Sequence, residues 1–200
     1  MSLDADLAQP LVKQAADYAA SKHAHQKRLD RKTPYFEHCR AVAGIVASAT
    51  DDPSLIAAAY LHDTIEDTGA TWDKLARRFG SEVATIVAML SMDNRLPEER
   101  ALEEYRAKLA QAPVGTCLIK VADIIHNAQS LGSVSMKDDE EFKAKVVKKS
   151  LGTLHAVDPD RFAPEIELYE SYRALWDRAE GLLDEHAKVL GLDLPNEGKS

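Results

Sequence analysis

Two hundred residues give room for one globular unit, and 45% hydrophobic with 29% charged residues, nine Gly and eight Pro exclude disordered, collagen-like and low-complexity chains. Twenty-five Lys and Arg against thirty-three Asp and Glu leave a formal charge of −8, which argues against a general nucleic-acid or membrane-surface binder. An anionic ligand must therefore be met by a local basic patch.

Apolar residues recur at helical spacing almost everywhere, beginning with Leu11, Ala15, Tyr18 and Ala19, and the spacing predicts a first helix over 4–24. The polar segment 26–36, QKRLDRKTPYF, reads as a loop. A second helix follows over 35–49, with Ala41, Val42, Ile45, Val46 and Ala49 as its stripe. Asp52 before Pro53 opens a helix over 53–66, because Pro fits the first turn. Further helices are expected over 71–79, 82–91, 97–111, 113–130, 138–153 and 164–190, punctuated by Gly69, Gly80, Gly132 and Gly191. Residues 138–149 run from acidic to basic, which suits the helix dipole and by itself implies a solvated face. The tail after Gly191 is expected to fray. Strand patterns are scarce, so the fold class is all-α in a single domain over 1–200.

The opening MSLDADLAQP has two acids and no apolar run, and no stretch approaches the roughly 18 apolar residues of a membrane span. Cys39 and Cys117 show neither metal-knuckle nor redox spacing. A reducing cytoplasm is the expected compartment, with no membrane and no nucleic acid as partner.

The segment LHDTIEDT places His62, Asp63, Glu66 and Asp67 at offsets of zero, one, four and five in a stretch rich in Ala, Leu and Ile. On a continuous helix His62 lies over Glu66 and Asp63 over Asp67, so four polar groups crowd one short face. Like charges at this spacing cost about 0.2–0.5 kcal/mol per pair, and more when desolvated. A divalent metal would neutralise them, because imidazole and carboxylate are its usual ligands; an exposed acidic helix end with a capping histidine is the plainer alternative.

Two neighbours do not fill a coordination shell, and His38 and Asp123 are the best further candidates. His38 lies in TPYFEHCR, where a lone histidine is more often a surface or satisfied core residue. Asp123 lies in CLIKVADIIHNAQSL, an apolar helix on which Lys120, Asp123 and Asn127 form a polar stripe. A plain Lys120–Asp123 ion pair would also account for part of that stripe.

His38, then His62-Asp63, then Asp123 resemble the H…HD…D signature of the HD-domain metal-dependent phosphohydrolases. With KHAHQKR, TPYFEH, AAYLHDTIEDT, RRFGSEV and IKVADIIHN, residues 15–131 more narrowly resemble the small alarmone hydrolases, single-domain relatives of the Rel/SpoT hydrolase domain. These enzymes remove the 3′-pyrophosphate from (p)ppGpp. The C-terminal third, about 138–190, matches only as helical material.

The resemblance implies an HD-domain helical bundle of about eight to ten helices. It implies that His38, His62, Asp63 and Asp123 bind one Mn²⁺, although the donor set alone would suit Fe²⁺, Zn²⁺ or Mg²⁺ as well. Glu66 and Asp67 would hold and deprotonate the attacking water. Arg28 would pack against the guanine ring, Tyr35 and Lys120 would sit beside the nucleotide, and Asn127 would hydrogen-bond to it. Lys27, Arg31 and Lys32 would complete the densest basic loop of the chain and face phosphate. With no room for a synthetase domain, the protein is expected to degrade the alarmone and not to make it.

Four positions depart from the family pattern. His25 stands for the usual Gly before the loop Gln, and Cys39 for the Pro after the first ligand. Ile124 replaces the Arg or Lys that follows the ligand aspartate, and Leu29 replaces a common Lys, so two cations are lost. Arg31 and Lys32 are expected to compensate. His23, His126, His155 and His186 are assigned to packing or surface. The alternatives are an HD phosphohydrolase of other specificity, such as a nucleoside 5′-monophosphatase, and a non-catalytic nucleotide-binding module, the latter expected to show a broken ligand set.

Overall fold

The computed structural model describes residues 10–133, 140–164 and 166–192. Ten α-helices lie among them: α1 (Pro10–Lys22), α2 (Phe36–Ala47), α3 (Pro53–Leu61), α4 (Thr64–Thr68), α5 (Trp72–Phe79), α6 (Ser81–Leu90), α7 (Glu98–Leu109), α8 (Val114–Ser133), α9 (Glu140–Ala156) and α10 (Tyr169–Val189). A short 3₁₀ turn, Pro159–Arg161, precedes α10. No strand occurs among the described residues, only an isolated bridge between Lys27 and Pro34. The predicted all-α class is what the structure shows. No described helix is long and apolar enough to cross a membrane.

The centre of the bundle is α3, whose residues from Leu55 to Leu61 are all buried. A helix that is apolar all round must be enclosed, and α1, α2, α6 and α8 enclose it. Its start is fixed by Asp52, whose carboxylate accepts from the Ser54 amide at 2.8 Å, with Pro53 in the first turn. Each large side chain buried there, such as Ile56 or Leu61, contributes about 1.5–3 kcal/mol of transfer free energy. Helix α8 lies across this core, burying Leu118, Ile119, Val121, Ala122 and Ile125. Helix α10 covers α8 and α9. The Trp176 indole N–H donates to the Leu154 carbonyl at 3.1 Å, and the His186 ring bonds the Ala128 carbonyl at 2.8 Å.

The single helix predicted over 53–66 is a correction. The chain breaks after Leu61 and restarts at Thr64. The His62 ring bonds the Ala59 carbonyl at 2.8 Å and the Thr64 hydroxyl donates to the Leu61 carbonyl at 2.7 Å. Asp63 sits at φ −96°, ψ −2°, between the regular helical and extended regions. Side chains thus satisfy carbonyls at the junction, and His62 does not stand over Glu66 on one continuous helix. Gly69, with φ 67°, then ends α4 in the left-handed conformation that L side chains resist.

A second correction concerns the last helix, which starts at Tyr169 and not at 164; residues 166–168 form turns. The first and eighth predicted helices extend into 4–9 and 138–139, and the frayed tail into 193–200, all outside the described residues. The remaining predicted boundaries agree to within three residues.

Candidate metal centre

Three separate elements deliver four donors to one point. The first turn of α2 carries His38, the α3–α4 junction carries His62 and Asp63, and the middle of α8 carries Asp123. His38 Nε2 lies 3.2 Å from His62 Nε2, 3.2 Å from Asp123 Oδ1 and 3.6 Å from Asp63 Oδ2. His62 Nε2 lies 2.9 Å from Asp63 Oδ2 and 3.9 Å from Asp123 Oδ1. Both rings and Asp123 are buried, at 1%, 3% and 6% exposure. Breaking the helix at 62–63 is what lets two consecutive residues face the same point.

An outer ring of hydrogen bonds orients these donors. The Tyr35 hydroxyl donates to Asp63 Oδ2 at 2.7 Å. Lys120 Nζ donates to Asp123 Oδ2 at 2.8 Å, and the Asn127 amide donates to Asp123 Oδ1 at 2.6 Å. Arg28 donates in turn to Asn127 Oδ1 at 2.9 Å. His62 Nδ1 is held by the Ala59 carbonyl, which can only accept, so in the neutral ring Nε2 carries the lone pair that faces the carboxylates. His38 Nδ1 lies 2.7 Å from His126 Nδ1.

The electrostatics of this cluster demand positive charge. Burial lowers the proton affinity of His62, but the charge and hydrogen bond of Asp63, with Asp123 behind, outweigh it and raise the pKa to about 9. Burial would push the Asp123 carboxyl up; the Lys120 ammonium and the two imidazoles hold it well below the usual carboxylate range. Lys120 is itself raised by Asp123 against its burial. Two buried imidazoles and two carboxylates, each held by a further hydrogen bond, are a donor set of the kind divalent cations take. His38, His62 and Asp123 offer ligand atoms all within 4.8 Å of one another.

A cleft opens on this cluster in two lobes. The smaller, about 200 Å³, is lined by Tyr35, Asp63, Glu66, Asp67 and Met92. The larger, about 470 Å³, is lined by Arg28, Leu29, His126, Asn127, Val146 and Ser150 among others. Tyr105, Lys120, Asp123, Asn127 and Lys149 line both. That volume matches small-molecule sites. Glu66 Oε2 accepts from the Met92 amide at 2.7 Å, and burial raises its pKa in spite of that bond.

The loop before α2 holds Arg28 in place. Arg28 N–H donates to the Thr33 carbonyl and Tyr35 N–H to the Gln26 carbonyl, at 2.9 and 3.0 Å. Asp30 accepts from the Lys32 and Thr33 amides and the Thr33 hydroxyl, bonds that keep its carboxyl down to about 2. The Arg28 guanidinium lies over the Tyr35 ring, 5.7 Å from its centroid.

The structure therefore brings together His38, His62, Asp63 and Asp123, with Glu66, Asp67, Tyr35, Lys120, Asn127 and Arg28 around them. Lys27, Arg31 and Lys32 are exposed on the loop and line neither lobe. Ile124, 3% exposed, lines the larger lobe. Three residues escaped the sequence reading: His126, Tyr105 and Lys149. His126 had a signal, three residues after Asp123 on the same helix face. Lys149 had none, because its charge run reads as a solvated surface. Arg106 donates to the Lys149 carbonyl at 3.0 Å and lies against Gly152, where a Cβ would collide with its guanidinium.

Comparison with known proteins gives concordant results. The HD domain family model matches residues 15–149. Human and mouse guanosine-3′,5′-bis(diphosphate) 3′-pyrophosphohydrolase MESH1 are each 36% identical over 154 residues, covering 70% of this chain and 84% of theirs. The Brucella ovis GTP pyrophosphokinase rsh is 37% identical over 144 residues, 69% of this chain but 19% of that much longer protein. Among solved structures, a metazoan ortholog of SpoT that hydrolyses ppGpp superimposes with a TM-score of 0.69 at 23% identity, covering 92% of this chain and 98% of that one. That likeness shows the fold.

Proposed function

The chain belongs to the HD-domain family and, within it, to the single-domain alarmone hydrolases, and from that premise we propose that it is a (p)ppGpp 3′-pyrophosphohydrolase dependent on Mn²⁺. The observation that carries this reading is the convergence of two imidazoles and two carboxylates, from three elements distant in sequence, where the two lobes of the cleft meet. The intact set argues against a non-catalytic binding module.

His38, His62, Asp63 and Asp123 would hold the ion. A divalent cation there supplies a lowered pKa for the attacking water and neutralises charge on the phosphoryl oxygens. Glu66 and Asp67 would orient that water and take its proton. Glu66 is fixed by the Met92 amide and its raised pKa brings it closer to neutrality, which improves a general base. Water would attack the phosphorus bonded to the ribose 3′-oxygen; the bond between that phosphorus and the 3′-oxygen would break, the proton taken from water would pass to the 3′-oxygen, and the products would be pyrophosphate and GDP or GTP.

The larger lobe would bind the rest of the nucleotide. Arg28 would stack on guanine, Asn127 hydrogen-bond to the nucleoside, and Tyr35 bound the 3′ side. Lys120 is committed to Asp123, whereas Lys149, which lines both lobes, would meet phosphate. Lys27, Arg31 and Lys32, exposed on the loop that carries Arg28, would raise the local concentration of an anionic substrate on an acidic protein. The cytoplasm suits this activity.

Incubation with ppGpp and Mn²⁺, with and without chelator, tests the reading. Release of pyrophosphate that stops on chelation is expected. Orthophosphate as the sole product would move the chain to another HD phosphohydrolase specificity, and turnover indifferent to chelator would remove the metal.

A further inference from the structure

His126 has no part in the scheme above, yet its ring stands against a proposed ligand. Its Nδ1 lies 2.7 Å from Nδ1 of His38, the ring centroids are 4.9 Å apart, and the residue lines the larger lobe of the cleft. A contact of that length between ring nitrogens needs one N–H and one lone pair. The other nitrogen of His38, Nε2, faces His62, Asp63 and Asp123. A nitrogen that binds a metal carries no proton, so the proton of His38 belongs on Nδ1. His126 Nδ1 must then be the acceptor, with the proton of His126 on Nε2.

The two imidazole donors are thus held by different means. A backbone carbonyl, that of Ala59, fixes His62. A side chain fixes His38. We propose that His126 is a positioning residue that sets the tautomer and ring orientation of His38 for the divalent ion, taking the place that a carboxylate or carbonyl fills at most metal-bound histidines. This inference rests on the metal reading of the preceding section and adds to it a dependence on one replaceable acceptor.

The test uses the full chain stripped of metal and titrated with Mn²⁺ alone, read by the electron paramagnetic resonance of the free ion. His126→Leu removes the acceptor; His126→Asn keeps one, because its Oδ1 falls close to the position of the imidazole Nδ1. The leucine variant should bind Mn²⁺ roughly 10–100-fold more weakly, and the asparagine variant should recover most of that loss. Unchanged affinity in the leucine variant overturns the inference alone, as does equal loss in both variants, which would mark a packing role. Wild-type protein that takes up no Mn²⁺ overturns the metal reading as well. Should the leucine variant fail to fold, nitrogen-15 histidine spectra of the wild type with diamagnetic Zn²⁺ decide the matter: His38 protonated on Nδ1 and His126 on Nε2 are expected, and the reverse assignment for His126 defeats the proposal.

Discussion

The two lobes of the cleft are built on opposite plans. The acidic lobe draws Asp63, Glu66 and Asp67 from one short stretch at the α3–α4 junction, and backbone groups of Ala59, Leu61 and Met92 hold that stretch in shape. The larger lobe is assembled from a loop before α2, the face of α8 and the face of α9, joined by side chains such as Arg28, Asn127 and Arg106. Backbone-held groups can be placed within a few tenths of an ångström, as proton transfer requires; long side chains on separate elements suit the looser task of gripping a nucleotide. The difference teaches that chemistry and recognition can be lost separately here.

Substitution can break that separation or sharpen it. The largest effect is expected at the donors: His62→Ala or Asp63→Ala should abolish turnover together with bound Mn²⁺, and elemental analysis showing full metal occupancy in either variant would count against the centre. Next comes Glu66→Gln, which keeps the hydrogen-bond acceptor for the Met92 amide but cannot take a proton. It should retain the metal and lose roughly 10²–10⁴-fold in kcat. A kcat near that of the wild type would move the base elsewhere.

The smallest effects should fall in the larger lobe, and on KM. Arg28→Ala should raise KM for a guanine nucleotide by about tenfold with kcat nearly preserved. Lys149→Ala should raise it by a smaller factor, since the Arg106 bond goes to the Lys149 backbone and survives the change. A fall in kcat without a change in KM for either variant would show that the lobes are not independent.

Much of the acidic lobe was legible before folding was considered. His62 and Asp63 are adjacent, Glu66 and Asp67 follow within one helical turn, and an uncompensated run of charge among Ala, Leu and Ile signals a cation. Their geometry was not legible, because a helical repeat assumes that amides satisfy carbonyls, whereas at this junction His62 and Thr64 do so. A lone histidine such as His126 reads as packing or surface; its contact with His38 spans 88 residues of sequence. The turn over 166–168 was missed because the apolar pattern there resembles that of the helix it precedes.

Local physics therefore determined the all-α class, the caps that start α3 and end α4, and the residue types able to bind a cation and transfer a proton. These follow from spacing, dipoles and charge density within about ten residues. The tertiary structure alone decided which charges meet. It left Lys27, Arg31 and Lys32 exposed outside both lobes, brought Lys149 into their lining, and set His126 beside His38. The reason is physical: a side chain's partner across the core depends on how helices cross and how closely their backbones approach, and neither is written in the periodicity of one helix.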